Sequence, residues 1–543
     1  MNSNNIEMGP FGIKRQTTVT IESSRPPTSS RLNNHIPSHH AQKKSDVGQT
    51  YMHSTESSGR KKLDRKFDSL SILALSVTLL ASWEGIASSF STSLLNGGPS
   101  SLVWGMLLSL TGTMSLALSL AEMASICPIA GAQYHWTALF APPRIRPFIT
   151  WMQGWATVFA WQASTTSIFF LVAGQIQGMV ILNYPDYVNA RWHSTLIMWL
   201  LTCFSFAVNV WGIQLLPSIQ LLGGIFHIVF FIALGVPLIL LARRSTSEFV
   251  FETVMNNGGW SSDGVSWCLG MLTVTYCFLG FDGAIHMSEE VRNPAKVVPR
   301  ILVQSIIING TLAFSFILIL LFCIGDLTAA LNTPTGFPSI QIFYSATGSI
   351  KAATVMQCGI TIIGLMSSIG VVASVSRLTW AFARDGGLPF SKFFAHIDSR
   401  FHVPFRSIGL VCIVVILLSL INIGSSTALS AILALSTCSL YISYIIPIVL
   451  LVLRRFDMTR EPIPWGPWTL GRYGLAVNLY AIIFGTFIVV FVPFPTKIPV
   501  TADNMNYAGP VFGGMALLLF VDWFFRGRRR FQGPLKELLT RNS

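Results

Sequence analysis

Charge is what this chain has least of. Only 11% of its 543 residues are Asp, Glu, Lys or Arg, and 51% are hydrophobic. Soluble domains carry about 25% charged residues. The deficit is also local: no charged residue falls between Gly85 and Ala121, Ser194 and Ala242, or Ser407 and Leu453. A soluble core does not absorb apolar runs of that length. A bilayer takes roughly 20 apolar residues per helix, so each run reads as one membrane helix or a pair. The weak ten-residue alternation of a membrane β-barrel is missing as well.

Other absences narrow the function. The chain has no G-x-x-x-x-G-K-[ST] loop, which argues against direct drive by ATP. It shows no nucleophile–base signature and no cofactor fingerprint, so it does not read as an enzyme. Its eight cysteines form no disulfide framework, because Cys203, Cys277, Cys323, Cys358, Cys412 and Cys438 lie inside apolar runs, where cysteine behaves as a small hydrophobe. No Cys/His spacing suits a metal. No apolar signal peptide opens the chain. Residues 1–66 are polar and read as a disordered cytoplasmic tail, with Lys14, Lys43, Lys44, Lys61 and Lys62 open to ubiquitination. Residues 527–543 read as a basic cytoplasmic tail. The triplet Asn309-Gly310-Thr311 sits in an apolar run and is expected to be unusable for glycosylation.

The net charge of +13 does not indicate nucleic acid. The basic residues stand between apolar runs and in the cluster Arg526, Arg528, Arg529 and Arg530, where cytoplasmic loops meet anionic lipid. Twelve spans are expected, at 70–95, 101–127, 148–172, 194–213, 216–241, 265–288, 300–325, 350–383, 407–424, 427–453, 473–493 and 508–526. With both termini cytoplasmic, the outer loops hold Arg191, Arg243, Arg244, Lys351 and Lys497. The inner loops then take the remaining basic residues, as the positive-inside rule requires.

Two spans read as broken. Span 1 contains Trp83-Glu84-Gly85 and span 6 contains Gly280-Phe281-Asp282-Gly283. A charged side chain at mid-depth costs about 2.5–3.5 kcal/mol on insertion scales and marks a cavity or a partner. The two spans are the first members of two five-helix halves, about 70–241 and 265–453, with extra helices over 473–526. Interrupted helices at corresponding positions point to a transporter's binding site.

The residues then become familiar. Glu122-Met123-Ala124-Ser125-Ile126-Cys127-Pro128-Ile129-Ala130-Gly131-Ala132-Gln133-Tyr134 resembles the motif after the second helix of the amino acid–polyamine–organocation superfamily. Phe278-Leu279-Gly280-Phe281-Asp282 with Glu289-Glu290-Val291-Arg292-Asn293-Pro294 resembles its sixth-helix motif, and Ser376-Arg377 with Ala383-Arg384-Asp385-Gly386-Gly387-Leu388-Pro389 its eighth-helix ending. Trp83-Glu84-Gly85 and Gly258-Gly259-Trp260-Ser261 look most like the fungal amino acid/choline branch. The resemblance covers roughly 66–530. It implies an all-α fold of twelve helices with a five-plus-five inverted repeat, alternating access, and a site between the breaks flanked by helices 3, 8 and 10. It further implies a solute such as choline, 4-aminobutyrate or an amino acid. Where many members carry Gly-Ser-Gly at the first break, this chain carries Trp83-Glu84-Gly85, which favours a solute recognised by its cationic end.

The candidate site follows. The Glu84 carboxylate pairs with a solute ammonium and Trp83 offers a cation–π face; otherwise Glu84 is a structural acid at the break. Asp282 contacts solute or caps the broken helix. Gly85, Gly280 and Gly283 supply open backbone. Phe281 gates the site or packs in the core, while Trp161, Gln162, Tyr441 and Tyr444 wall it or belong to the core. His227 couples transport to protons or is a satisfied buried histidine. Ser367, Ser368 and Ser374 ligate sodium or support close helix packing. Glu289, Glu290, Arg292, Arg377 and Arg384, with Glu289 and Arg377 foremost, form a cytoplasmic gate or set topology. The function expected is secondary transport of a small amine, with the proton as coupling ion, at the plasma membrane or else the vacuole. An exchanger or exporter of a specialised amine and a non-transporting nutrient receptor are the alternatives.

Overall fold

A computed structural model describes residues 63–502, 504–531 and 533–534. The tail reading for residues 1–62, with its lysines, lies outside the described residues, as does most of the C-terminal tail. The first span is α1 (Ser69–Leu80) and α2 (Ser82–Ser89), followed by α3 (Ser91–Leu95). Then come α4 (Gly98–Ile126), α5 (Gln133–Phe140), α6 (Arg146–Asn183), α7 (Arg191–Val210), α8 (Leu216–Leu241) and α9 (Ser247–Glu252). The second half holds α10 (Asp263–Tyr276), α11 (Gly283–His286), α12 (Pro294–Phe322), α13 (Leu327–Leu331), α14 (Pro338–Thr347), α15 (Ile350–Arg384), α16 (Ser391–Phe394), α17 (Phe405–Gly424) and α18 (Ser426–Phe456). It ends with α19 (Gly474–Phe491), α20 (Ala508–Asp522) and α21 (Arg528–Arg530).

The protein is an all-α, multi-pass membrane protein. Among the described residues, 11 helices are long and apolar enough to cross a membrane, the first counted through its break as Ser69–Ser89. The expected sixth span, 265–288, is not one helix: it is α10, a run of turns from Cys277 to Asp282, and α11. Neither piece spans by itself, which is why the length-based count falls short of twelve. Leu200, Leu240, Ile483 and Leu518 point outward and form part of an apolar belt. Inside the bundle, small residues set close approaches. A Cβ on Gly105 would stand 2.7 Å from Met271, so α4 and α10 pack backbone to side chain without room for more. At its inner core α1 packs on α8, α12 and α15, and α6 on α15 and α18.

Two expectations need correcting. The first break is not at Trp83-Glu84-Gly85 but at Ala81, whose φ of 40° and ψ of 48° are left-handed. That conformation costs an L-residue roughly 1–2 kcal/mol, so the surroundings must hold it. Trp83, Glu84 and Gly85 are the first turn of α2. Residues 63–66 are not free tail, since Leu63 is buried and the Phe67 N–H donates to the Glu290 carbonyl at 3.1 Å. The first residues of the C-terminal tail are helical, and Phe531 packs its ring 5.4 Å from that of Trp151.

The break at Ala81 is held from three sides. The Ala81 N–H donates to Val77 O at 3.0 Å. The Ser82 N–H donates to Asn309 Oδ1 at 3.0 Å, and the Ser82 hydroxyl donates to Cys277 O at 2.7 Å. Two interrupted helices therefore meet directly: the first completes a freed carbonyl of the sixth span, and Asn309 of α12 completes a freed N–H of the first. In lipid that pairing is obligatory. Asn309 is fully buried, which confirms that its sequon has no access to glycosylation. Replacing Asn309 with Leu orphans the Ser82 N–H. A buried unmet donor costs about 1–3 kcal/mol, so Asn309→Leu is expected to melt at a lower temperature in detergent. An unchanged melting curve would show that the break needs no such support.

Candidate solute site

The breaks border a cavity of about 90 Å³ at mid-depth. Its wall includes Ala81, Glu84 and Gly85 from the first break, Trp161, Ser164 and Gln175 from α6, Tyr276, Cys277 and Gly280 from the sixth span, and Ser367 from α15. Pockets that enclose drug-sized ligands hold about 300–1,000 Å³, so this one suits a compact solute. Gly280 takes a φ of +88°, and a Cβ there would lie 3.2 Å from the Trp161 ring. The turn and the close indole together require glycine.

Glu84 is 3% exposed, and its Oε1 lies 2.7 Å from His227 Nδ1. Its other oxygen, Oε2, is buried without a hydrogen-bond partner, as is His227 Nε2. Gln175 donates to the Ser88 hydroxyl at 2.8 Å, while its Oε1 has no partner. The Ser164 hydroxyl is also unpartnered. Three unused acceptors thus line one small cavity.

Trp83 does not face this cavity. It is fully buried, packs against Phe316 at 4.8 Å between ring centroids, and donates its indole N–H to His227 O at 3.1 Å. It positions the histidine rather than offering a π face. Tyr441 is likewise buried in packing, 6.0 Å from Tyr444. Phe281 lies 4.9 Å from Tyr444 and is outside the cavity wall. The hydroxyls of Ser367, Ser368 and Ser374 donate to Leu79 O, Leu365 O and Gly283 O.

Asp282 also stands apart from the cavity wall, although the sequence places it beside Gly280. Its carboxylate receives Gln133 Nε2 at 2.5 Å, Trp161 Nε1 at 3.2 Å and the Tyr444 hydroxyl at 2.6 Å. His286 Nε2 is 3.5 Å away. Three donors from α5, α6 and α18 saturate it, so it acts as a tie between elements. Beyond it, Arg377 pairs with Glu290 at 2.7 Å and Arg384 with Glu289 at 3.1 Å. The foremost gate residues Glu289 and Arg377 are therefore in one layer but not partners of each other. Arg292 is exposed. Because Phe67 bonds to Glu290 O just before α1 begins, this layer closes the side on which the first span starts. The cavity lies toward the other side, against the first half of α15 at Ile360 and Gly364.

The first turn of α5 completes the closure. Tyr134 donates to Asp385 Oδ2 at 2.8 Å, and His135 Nε2 lies 3.2 Å from the same oxygen. Burial, and then the Arg384 charge, push His135 down to about 3. Its contact with Asp385 is thus a hydrogen bond from a neutral ring. A larger recess of about 720 Å³ at the helix ends, near Arg384, Lys392 and Arg526, shares no residue with the mid-depth cavity.

Gln175 and Ser82 were not singled out by sequence, Gln133 entered only as part of a motif, and Asn309 only as an unusable sequon. Each is an uncharged polar side chain in or beside an apolar run, and that was the available signal. A multi-pass membrane protein with a small cavity between two helix breaks has the architecture of a solute carrier. The family comparison agrees: the amino acid permease model matches residues 67–517, and the chain belongs to that family. It is 30% identical over 482 residues to a choline transporter of Saccharomyces cerevisiae, covering 87% of this chain and 83% of that one. It is 30% identical over 474 residues to amino-acid permease 2 of Neurospora crassa, with 87% and 86% covered. With the GABA-specific permease of Saccharomyces cerevisiae it shares 27% over 493 residues, with 88% and 84% covered.

Two outcomes follow. A histidine held below its ordinary 6.5 in the fold resists protonation there, so stability falls as pH drops from about 6.5 toward 3. His135→Gln is expected to flatten the pH dependence of melting between about pH 6.5 and 5, where carboxylates stay ionised. An identical slope in both proteins would contradict this. Tyr444→Phe removes one bond to a carboxylate, worth about 1.5–3 kcal/mol. Amide exchange in α5 should accelerate in that variant, and equal protection would show that Asp282 does not tie α18 to α5.

Proposed function

We propose that the chain moves a small amine-bearing solute, of the choline, 4-aminobutyrate or amino acid class, by alternating access coupled to protons through His227. The observation that carries this reading is the second oxygen of Glu84, buried in the cavity wall with nothing bonded to it. A carboxylate oxygen left unpaired inside a protein is costly unless a guest completes it. Gln175 and Ser164 add acceptors on the same wall, and among the lining residues Glu84 is the sole Asp, Glu, Lys or Arg. Such a wall selects a donor or a cation. The names of the relatives, choline transporter, amino-acid permease and GABA-specific permease, belong to the same chemical class.

The layer from Asp282 to Arg384 is the inner gate, and the side it closes is the cytoplasmic one. The excess of basic residues in the loops on that side supports the assignment. The two halves act as the inverted repeats that rock against each other. The membrane assigned is the plasma membrane.

Loss of the Glu84 charge removes a charge-assisted contact worth about 1.5–3 kcal/mol, or roughly 10- to 150-fold in affinity. Uptake of choline, 4-aminobutyrate, polyamines and neutral and basic amino acids is to be compared in cells without their own carriers. Glu84→Gln should reach the membrane at normal abundance but lose affinity for the transported amine by that factor. Unchanged affinity in that variant would remove Glu84 from solute binding.

A further inference from the structure

The Glu84–His227 pair has a feature that solute binding alone does not need. Both of its outer atoms, Glu84 Oε2 and His227 Nε2, are buried and unpartnered. The inner atoms share a hydrogen 2.7 Å apart. Whether that hydrogen is written on the imidazole or the carboxyl, the pair with one exchangeable proton is neutral. No other Asp, Glu, Lys or Arg lines the cavity, so nothing else balances a charge that arrives there.

We infer that the pair holds either its exchangeable proton or a fixed solute cation, not both, so that a permanently charged ammonium crosses in exchange for a proton. The inference rests on the amine reading above and adds the sense of coupling to it. When a quaternary ammonium reaches Glu84 Oε2, it brings a charge that no group can neutralise while the proton stays. Burial makes a net charge unfavourable, because the interior screens it poorly. The proton therefore leaves to the water on the open side. Histidine becomes neutral, with Nδ1–H still donating to Glu84 Oε1, and the carboxylate faces the ammonium through Oε2. On the opposite side the cation departs, a proton returns from the water there, and the neutral pair is restored. A zwitterion brings no net charge, so the proton stays and travels with it. One site would then run exchange for organic cations and joint transport for zwitterions.

The surroundings allow this assignment. Trp83 covers the histidine at 5.9 Å between ring centroids and is itself packed on Phe316 at 4.8 Å. The wall facing Glu84 brings Tyr276 and Cys277 from the sixth span as further titratable groups, and Gln175 and Ser367 from α6 and α15 as neutral ones. The Tyr276 hydroxyl is engaged with Ser167 at 2.6 Å. Cys277 bonds to Thr273 O.

The test uses the purified full-length protein in weakly buffered solution, with choline and 4-aminobutyrate as probes and binding followed by calorimetry. Choline should bind with release of a proton, seen as acidification and as a dependence of the heat on the buffer's ionisation enthalpy. The wild type should bind 4-aminobutyrate without release. In proteoliposomes an inward choline gradient should alkalinise the lumen. Choline binding to wild type with no proton released, or with a proton taken up, overturns the inference and leaves the amine reading standing. If neither probe, nor any compact ammonium or amino acid, binds at all, the amine reading falls and the inference with it.

Discussion

Everything else in this molecule depends on a hydrogen bond across two broken helices, from the Ser82 hydroxyl to the Cys277 carbonyl. A membrane interior offers no water to backbone that leaves the helix. Each break therefore has to be completed by protein. Asn309 pairs one freed N–H, and Ser82 pairs one freed carbonyl. Ala81 is thereby held in a conformation it would not choose alone. The consequence is positional. A helix that restarts at Ser82 turns Glu84 toward the cavity and Trp83 toward α8 and α12.

The two intramembrane acids illustrate how environment divides roles between like groups. Asp282 is saturated by three donors from separate elements. Its energetic effect is to tie α5, α6 and α18 to the sixth span. Glu84 has one partner and one free oxygen. The Asp282 contacts and the Arg377–Glu290 pair stand in one layer across the bundle. Buried charge pairs are costly to break, so that layer resists partial opening. The asymmetry of the bundle, sealed at one end and cavitied at the middle, follows from these two carboxylates.

Much of this was legible in the sequence. Long uncharged runs announced the helices, and glycine beside a carboxylate announced the sixth-span break, where Gly280 does take a left-handed φ. Glu84 and His227 were both singled out, though nothing in their spacing showed that they touch. The first break was displaced because its turning residue is Ala81. Alanine carries no signal of left-handed backbone, and Trp83-Glu84-Gly85 drew attention by composition. Asp282 looked like a solute contact because sequence gives depth but not facing. The donors that saturate it come from residues 121 to 162 positions away and cannot be read from a single chain. Asn309 was read as a spent sequon. Its burial and its reach to α2 are tertiary facts, and a neutral amide in an apolar run was the one clue available.

The most direct measurement is a structure of the full chain with a bound ammonium solute. The result expected is solute density between the two breaks, with its cationic group against Glu84 Oε2 and the Asp282 contacts to Gln133, Trp161 and Tyr444 unchanged. Density seated on Asp282, or elsewhere in the bundle with the Glu84–His227 contact facing an empty cavity, would contradict the account.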